Sequence, residues 1–311
     1  MNDAKGAGSA ARSAAFRRKD ALFLALMIVP LLLCVALKVL YKPASEGIDI
    51  SGAMIYFTVE DFPVQPLIIS ESQVNAWGVM LSLLGLCLYL THGLTERAET
   101  KRQLVAEWIV EKCEALVGMN MGARYAGFEV LVAAILSLSA FSSLSCLIGL
   151  FAPTGDINIT AGWAVLVFAL VTREKLAGGV LNYLKGFTEP IVVFTPMNFI
   201  SEFSLPVSMA FRHYGNVMSG AVISTLVGAA LRSLSHMLLG SLPVIGSVPL
   251  LQVGVPAVLS IYFDVFSGLM QAFIFAMLTM LNIAGAFPAE AWEKRQEKKR
   301  ARLARKAMAN A

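Results

Sequence analysis

Residues 211–220 read Phe-Arg-His-Tyr-Gly-Asn-Val-Met-Ser-Gly, and the arginine among them, Arg212, decides what kind of chain this is. It lies inside an apolar stretch, residues 203–231, that carries no other Lys, Arg, Asp or Glu. At ~1.5 Å per residue its guanidinium falls well inside a hydrocarbon layer. An intramembrane arginine costs at least ~2.5 kcal/mol by insertion scales, so such a residue faces a polar cavity or a partner. The alternative is a side chain that snorkels to the headgroups along its own stem. Asn216 one turn on, with Gly215, Ser219 and Gly220 beside it, favours the cavity or partner. The expected function is movement of something across a membrane.

Composition agrees. With 57% hydrophobic and 15% charged residues, the chain reads as an all-α polytopic membrane protein. Apolar runs fall at residues 21–41, 74–94, 128–151, 159–172, 203–231 and 253–287. A straight span needs ~20 residues. The fourth run must therefore borrow from its flanks, and the last two are long enough to be tilted or bent.

Charge orients these runs. Lys5, Arg12, Arg17, Arg18 and Lys19 precede the first; Arg97, Lys101, Arg102, Lys112 and Arg124 follow the second. Arg173, Lys175 and Lys185 follow the fourth, and eight basic residues fill 294–306. By contrast residues 44–73 hold Glu46, Asp49, Glu60, Asp61 and Glu71 without a Lys or Arg, and 152–158 and 240–252 also lack basic residues. The positive-inside rule gives six spans with both termini cytoplasmic. The organisation expected is a basic N-terminal segment (1–20), a first helix (21–41), an acidic external loop (42–73), a membrane domain (74–287) and a basic tail (288–311). The first run lacks a small-residue cleavage site and is read as a retained helix rather than a signal peptide.

Several classes are set aside. No Gly-rich phosphate loop or dinucleotide fingerprint is present, and His92, His213 and His236 are far apart without ligand spacing, so neither a cofactor nor a metal site is expected. Cys34, Cys87, Cys113 and Cys146 have no paired spacing and read as small buried hydrophobes. The basic tail is too short and too close to a span to argue for nucleic acid. No internal repeat stands out, which counts against a transporter of two inverted halves.

The polar residues concentrate in the last two runs. Arg212, Asn216 and Gly220 follow at i, i+4 and i+8, so a helix puts them on one face. Gly215 and Ser219 form a second small pair, the spacing that lets another backbone come close. In the final run Asp264 and Gln271 are seven apart, nearly one face, with Ser267 and Gly268 between and Asn282 beyond. A carboxylate there needs Arg212 or a hydrated cleft as partner. Glu202 begins the arginine-bearing run and suits the N-terminal end of its helix. Asp156 and Asn158 open the fourth span, where Asp or Asn commonly caps.

At these residues the chain resembles subunit a of the F-type ATP synthase. The likeness rests on SLPVSMAFRHYGNVMSG (204–220), with its lead-in TPMNFISEF (195–203), on GLMQAFIFAMLTMLNIAGA (268–286), and on APTGDINITAGWAVLVFAL (152–170). The three blocks stand in the family's order and spacing across residues 74–286. The resemblance implies a fold of about six membrane helices, the last two long and strongly tilted against a ring of c subunits. It implies that Arg212 faces the ring's ion-binding carboxylate, with Asn216 and Gln271 as polar neighbours and Glu202 in the cytoplasmic half-channel. Asp156 and Asn158 would belong to the outer one. It also implies obligate partners: the c ring, b-type stalk subunits and the catalytic F1 head, in a bacterial inner membrane. The subunit itself would be non-catalytic.

Departures from the family pattern shape further expectations. His213 and Tyr214 replace the usual Leu-Phe. Ala221 stands where many members have Glu or His, and Asp264 where they have His or Glu, so Asp264 would titrate alone. Ser143 and Cys146 fall where the pattern has Asn and Asp, which makes the outer half-channel less acidic. The competing reading is an independent proton-coupled transporter working through Asp264 and Arg212. Residues 96–118, with Leu104, Val105, Trp108, Ile109 and Leu116 at helical spacing, read as an amphipathic helix on the membrane surface or against the stalk.

Overall fold

The computed structural model describes residues 2–41, 52–60, 66–96, 100–188, 191–239 and 251–287, with Glu297. Glu46, Asp49, Asp61, Arg97, the 240–250 loop and the rest of the basic tail lie outside the described residues. Among them, six stretches are long and apolar enough to cross a membrane: Phe16–Tyr41, Glu71–Thr91, Glu129–Ile148, Ile157–Ala177, Val192–Leu238 and Gly254–Ala286. The first lies in helix α1 (Asn2–Tyr41).

The external loop holds an antiparallel hairpin, β1 (Ile55–Val59) and β2 (Leu67–Ser70), which the acidic reading of that loop did not anticipate. Its aromatic and β-branched run, Ile-Tyr-Phe-Thr-Val, suits a strand. Helix α2 (Glu71–Thr91) starts directly after it. Helix α3 (Lys101–Met121) is capped by Thr100, whose side chain accepts from the Gln103 amide. It therefore begins later than expected; Leu104, Val105, Trp108 and Ile109 form an open apolar face, and only its far end buries Val117 and Met121.

Helices α4 (Glu129–Leu144), α5 (Ile157–Ala177), α7 (Thr195–Leu239) and α9 (Gly268–Ala286) make the centre, with short α6 (Val180–Thr188) and α8 (Leu251–Ser260) beside them. As expected, α5 takes residues from both flanks of its apolar run. Helix α7 is much longer than the run 203–231: at 45 residues it extends about 68 Å. The reading stopped at Glu202 because a charge interrupted the run. The helix continues through that charge because Glu202 has a cationic partner, described below. A layer of ~30 Å cannot hold α7 upright, so it crosses obliquely.

The core joins Val132 and Ile135 of α4, Ala164 and Val167 of α5, Met209 and Ala210 of α7, and Phe275, Ala276, Met280 and Ile283 of α9. Lipid is as apolar as these side chains, so close packing and internal hydrogen bonds hold helices together, and small residues at crossings favour both. The α1–α2 seam shows this best. A Cβ on Gly85 would stand 2.6 Å from the Met27 backbone nitrogen, and one on Gly78 2.6 Å from Cys34 Sγ. Between them Ser82 Oγ donates to the Met27 carbonyl at 2.7 Å, next to the break that Pro30 makes in the α1 ladder. At the basic end, Asp20 accepts from Arg102 and pairs with His92, each at 2.9 Å, while the Phe16 ring stacks on His92. Cys34 is buried as expected, but Cys87 is exposed; lipid substitutes for a protein neighbour there.

Candidate functional site

Helix α7 turns Met209, Ala210 and His213 into the core and leaves Phe211, Arg212, Gly215 and Ser219 exposed. Arg212 has no hydrogen-bond or ion-pair partner among the described residues. Ser204, Ser208, Arg212, Gly215 and Ser219 recur at helical spacing along one exposed stripe, small side chains around one cation. Gly215 and Ser219 therefore do not mediate a contact within this chain; nothing lies within 4 Å of a Cβ built on Gly215. His213 fixes this orientation from the other side. It is fully buried, with Nε2 3.2 Å from Ser139 Oγ and its ring edge-to-face with Trp163 and Phe275. Successive helical residues diverge by about 100°, so seating His213 inward turns Arg212 outward.

Asn216, one turn on, reaches the last span. Its Oδ1 accepts from Ser267 Oγ at 2.8 Å and its Nδ2 donates to the Ser267 carbonyl at 3.4 Å. Ser267 closes a π-helical segment, Ile261–Ser267, that joins α8 to α9. The wider turn breaks the register that a seven-residue spacing would give Asp264 and Gln271. Asp264 is half-buried, accepts from Ser260 Oγ, and lines a pocket of about 10 Å³ with Ser143, Cys146, Asn216 and Val217. That volume suits one water molecule. Gln271 is buried in α9, lines no part of that pocket, and its Nε2 lacks a partner. Of the two partners expected for Asp264, Arg212 is not the one: Asp264 lines this polar pocket while Arg212 faces outward. Gly220 and Gly268 pack against two residues that line it, a Cβ on the first meeting Phe263 at 3.0 Å and on the second Ser143 at 2.5 Å. Asn282 points elsewhere, to Met209 Sδ at 3.9 Å.

At the N-terminal end of α5, Asp156 caps as expected, accepting from the Asn158 amide at 2.9 Å, while Asn158 itself is exposed. Asp156 also accepts from Ser72 at 2.5 Å, which ties α5 to α2. Beside it the sequence reading missed a buried group. Glu71, 2% exposed, pairs with Lys38 at 2.9 Å and accepts from the Phe151 amide at 3.3 Å, while Asn75 donates to the Phe151 carbonyl at 2.9 Å. A signal existed: Lys38 ends its run on the side where the loops are otherwise acidic.

Glu202 lies at the opposite end of α5, about 30 Å away along that helix. It is not an N-terminal cap, because α7 already begins at Thr195. Lys175 Nζ donates to both its oxygens, at 2.7 and 2.6 Å. Lys175, Tyr183, Asn198, Ser201 and Glu202 line a cavity of about 360 Å³. Burial, and then the Glu202 carboxylate, hold the Tyr183 phenol above its ordinary pKa. Helix α7 thus lines two polar pockets, the larger through Asn198, Ser201 and Glu202 and the smaller through Asn216 and Val217, with the outward-facing Arg212 between them in sequence. The two pockets share no lining residue.

Residues 74–284 match the family model described as ATP synthase A chain. The chain is 30% identical over 265 residues to ATP synthase subunit a, sodium ion specific, of Propionigenium modestum, covering 79% of this chain and 83% of that one. It is 30% identical over 223 residues to ATP synthase subunit a of Bacillus pumilus, covering 66% and 89%. It is 32% identical over 221 residues to ATP synthase subunit a of Albidiferax ferrireducens, covering 68% and 84%. Helix α1 and the hairpin precede the residues that match the family model.

Proposed function

We infer that this chain, which belongs to the ATP synthase A chain family, carries ions past a ring of c subunits through two separate half-channels. It is a non-catalytic, ion-translocating membrane subunit of the Fo sector of an ATP synthase. On this reading Arg212 faces the ion-binding carboxylate of the ring, and the stripe of Ser204, Ser208, Gly215 and Ser219 gives ring helices a shallow surface to slide over. The cleft of Glu202 and Lys175 is the cytoplasmic half-channel. Asp156, Asn158 and Asp264 belong to the outer one, Asn216 braces the two long helices beside Arg212, and Gln271 supports the interior of α9. The b-type stalk and F1 head are its further partners, in a bacterial inner membrane with both termini cytoplasmic.

The observation that carries the reading is the outward, unpartnered Arg212. A fixed cation there attracts an ionised ring carboxylate and blocks a direct leak between the clefts. An independent transporter built on Asp264 and Arg212 would need the two to meet, and they face opposite ways. The test is ATP-driven acidification of inverted membrane vesicles, wild type against Arg212→Ala at equal complex abundance, each with and without added Na⁺. The variant is expected to assemble and not pump, and the Na⁺ response identifies the ion. Normal pumping by Arg212→Ala would remove the reading's central residue.

A further inference from the structure

We propose that Glu71, held by Lys38 of the preceding helix, is the carboxylate that takes up the translocated cation at the outer entrance and passes it toward Asp264. The inference rests on the ion-translocating reading above. Glu71 is the first residue of α2 and stands before the residues that match the family model. As a charge at 2% exposure it is costly to bury, and Lys38, 30% exposed and supplied by α1, compensates it.

An ion pair alone would be a structural fastener. What distinguishes this one is the polar lining that leads away from it. Asn75, one turn along α2 and 1% exposed, donates to the Phe151 carbonyl but leaves Oδ1 without a partner. Thr154 Oγ1 and Ser143 Oγ are likewise buried and unpartnered. Each such atom costs about 1–3 kcal/mol unless water or an ion satisfies it, so three in succession mark a hydrated route.

Their order runs inward. Phe151 bonds both Glu71 and Asn75. Thr154 sits in the turn Pro153–Gly155, whose Gly155 packs against Val217. Val217 and Ser143 line the pocket of Asp264. Cys146 lines the same pocket. Helix α4 and the turn after it give this pocket only a hydroxyl and a thiol. Of the two carboxylates at the outer end, Asp156 is held by the Asn158 amide and Ser72 as the cap of α5, which leaves Glu71 on α2 at the head of the unpartnered polar atoms. The cation binds Glu71 from the outer water, leaves inward along the waters of this file, and frees the carboxylate for the next.

The experiment uses the assembled complex in inverted vesicles, with and without Na⁺. Glu71→Gln is expected to assemble at wild-type abundance and to pump about a hundredfold or more slower, the low end of what a positioned proton-transfer group contributes. Glu71→Asp is expected to keep most of the activity. Cys146→Asp, added to Glu71→Gln, places a carboxylate farther along the same file and is expected to restore pumping, which a structural pair would not allow. Wild-type pumping by Glu71→Gln, or no rescue by Cys146→Asp, overturns the proposal. If Glu71→Gln fails to assemble because Lys38 is left unpaired, Lys38→Met with Glu71→Gln removes both charges and is read the same way. Failure of that double variant to assemble makes the pair structural and also overturns the proposal. Arg212→Ala in parallel separates the two readings: if it pumps, the family mechanism fails; if it does not and Glu71→Gln does, only the role of Glu71 fails.

Discussion

Tyr56, on the hairpin above Glu71, is a buried phenol whose hydroxyl has no partner. Burial first, then the Glu71 carboxylate and the Cys34 thiol, push its pKa up to about 12. The folded state therefore binds this proton more tightly than the unfolded chain, which titrates at an ordinary tyrosine value of about 10. Stability from Tyr56 is whole below that value and is lost as pH rises toward the folded one. Tyr56→Phe should abolish that part of the alkaline loss. At neutral pH it should match or slightly exceed wild type, because it removes an unsatisfied buried hydroxyl. Thermal melts of the purified complex against pH check both; a variant as alkali-sensitive as wild type sinks the argument. At this scale the sequence is an uneven guide. Arg212, Asn216 and Asp264 stand out because a polar residue inside an apolar run is conspicuous. Glu71, Lys38 and Lys175 sit at the ends of runs, where charges are ordinary, and only tertiary structure shows that they are paired and partly or wholly buried.

Among the elements, the seam between α1 and α2 offers the sharpest contrast. Ala at Gly85 would drive a methyl into the backbone of α1, which cannot yield locally. Ala at Gly78 meets the end of the Cys34 side chain, which can rotate. Gly85→Ala should therefore cost about 1–3 kcal/mol of packing against a gain of ~1 kcal/mol in helix propensity, while Gly78→Ala should be near neutral. Maleimide labelling of Cys34 in mild detergent reports whether α1 has lifted; equal labelling of the two variants would contradict the packing argument. The helices themselves were legible from apolar run length. Their ends were not, since Glu202 counts as a terminator until Lys175 is found beside it. The π-helical turn before α9 was also invisible, because a one-residue change of register leaves composition untouched. That turn is why Asp264 and Gln271 part company despite helical spacing.

For the molecule as a whole, the distribution of charge and the two clefts describe one polarity. The basic connections and the Glu202 cleft lie at one end of α5; Asp156, Glu71 and the acidic loop lie at the other. An epitope at either terminus should be digested by protease in inverted vesicles and protected in intact cells. Opposite accessibility of the two ends would mean an odd number of crossings. Hydropathy made the six spans readable, whereas the pairing of helices was not, because in lipid a helix face that packs and one that meets acyl chains can be equally apolar. Arg212 shows what such a design demands of the cell. No described residue satisfies Arg212, so a copy that inserts alone carries an uncompensated guanidinium at a cost of at least ~2.5 kcal/mol. On the proposed function, the residue that would face the ring is also one that makes the unassembled subunit costly to keep in the membrane.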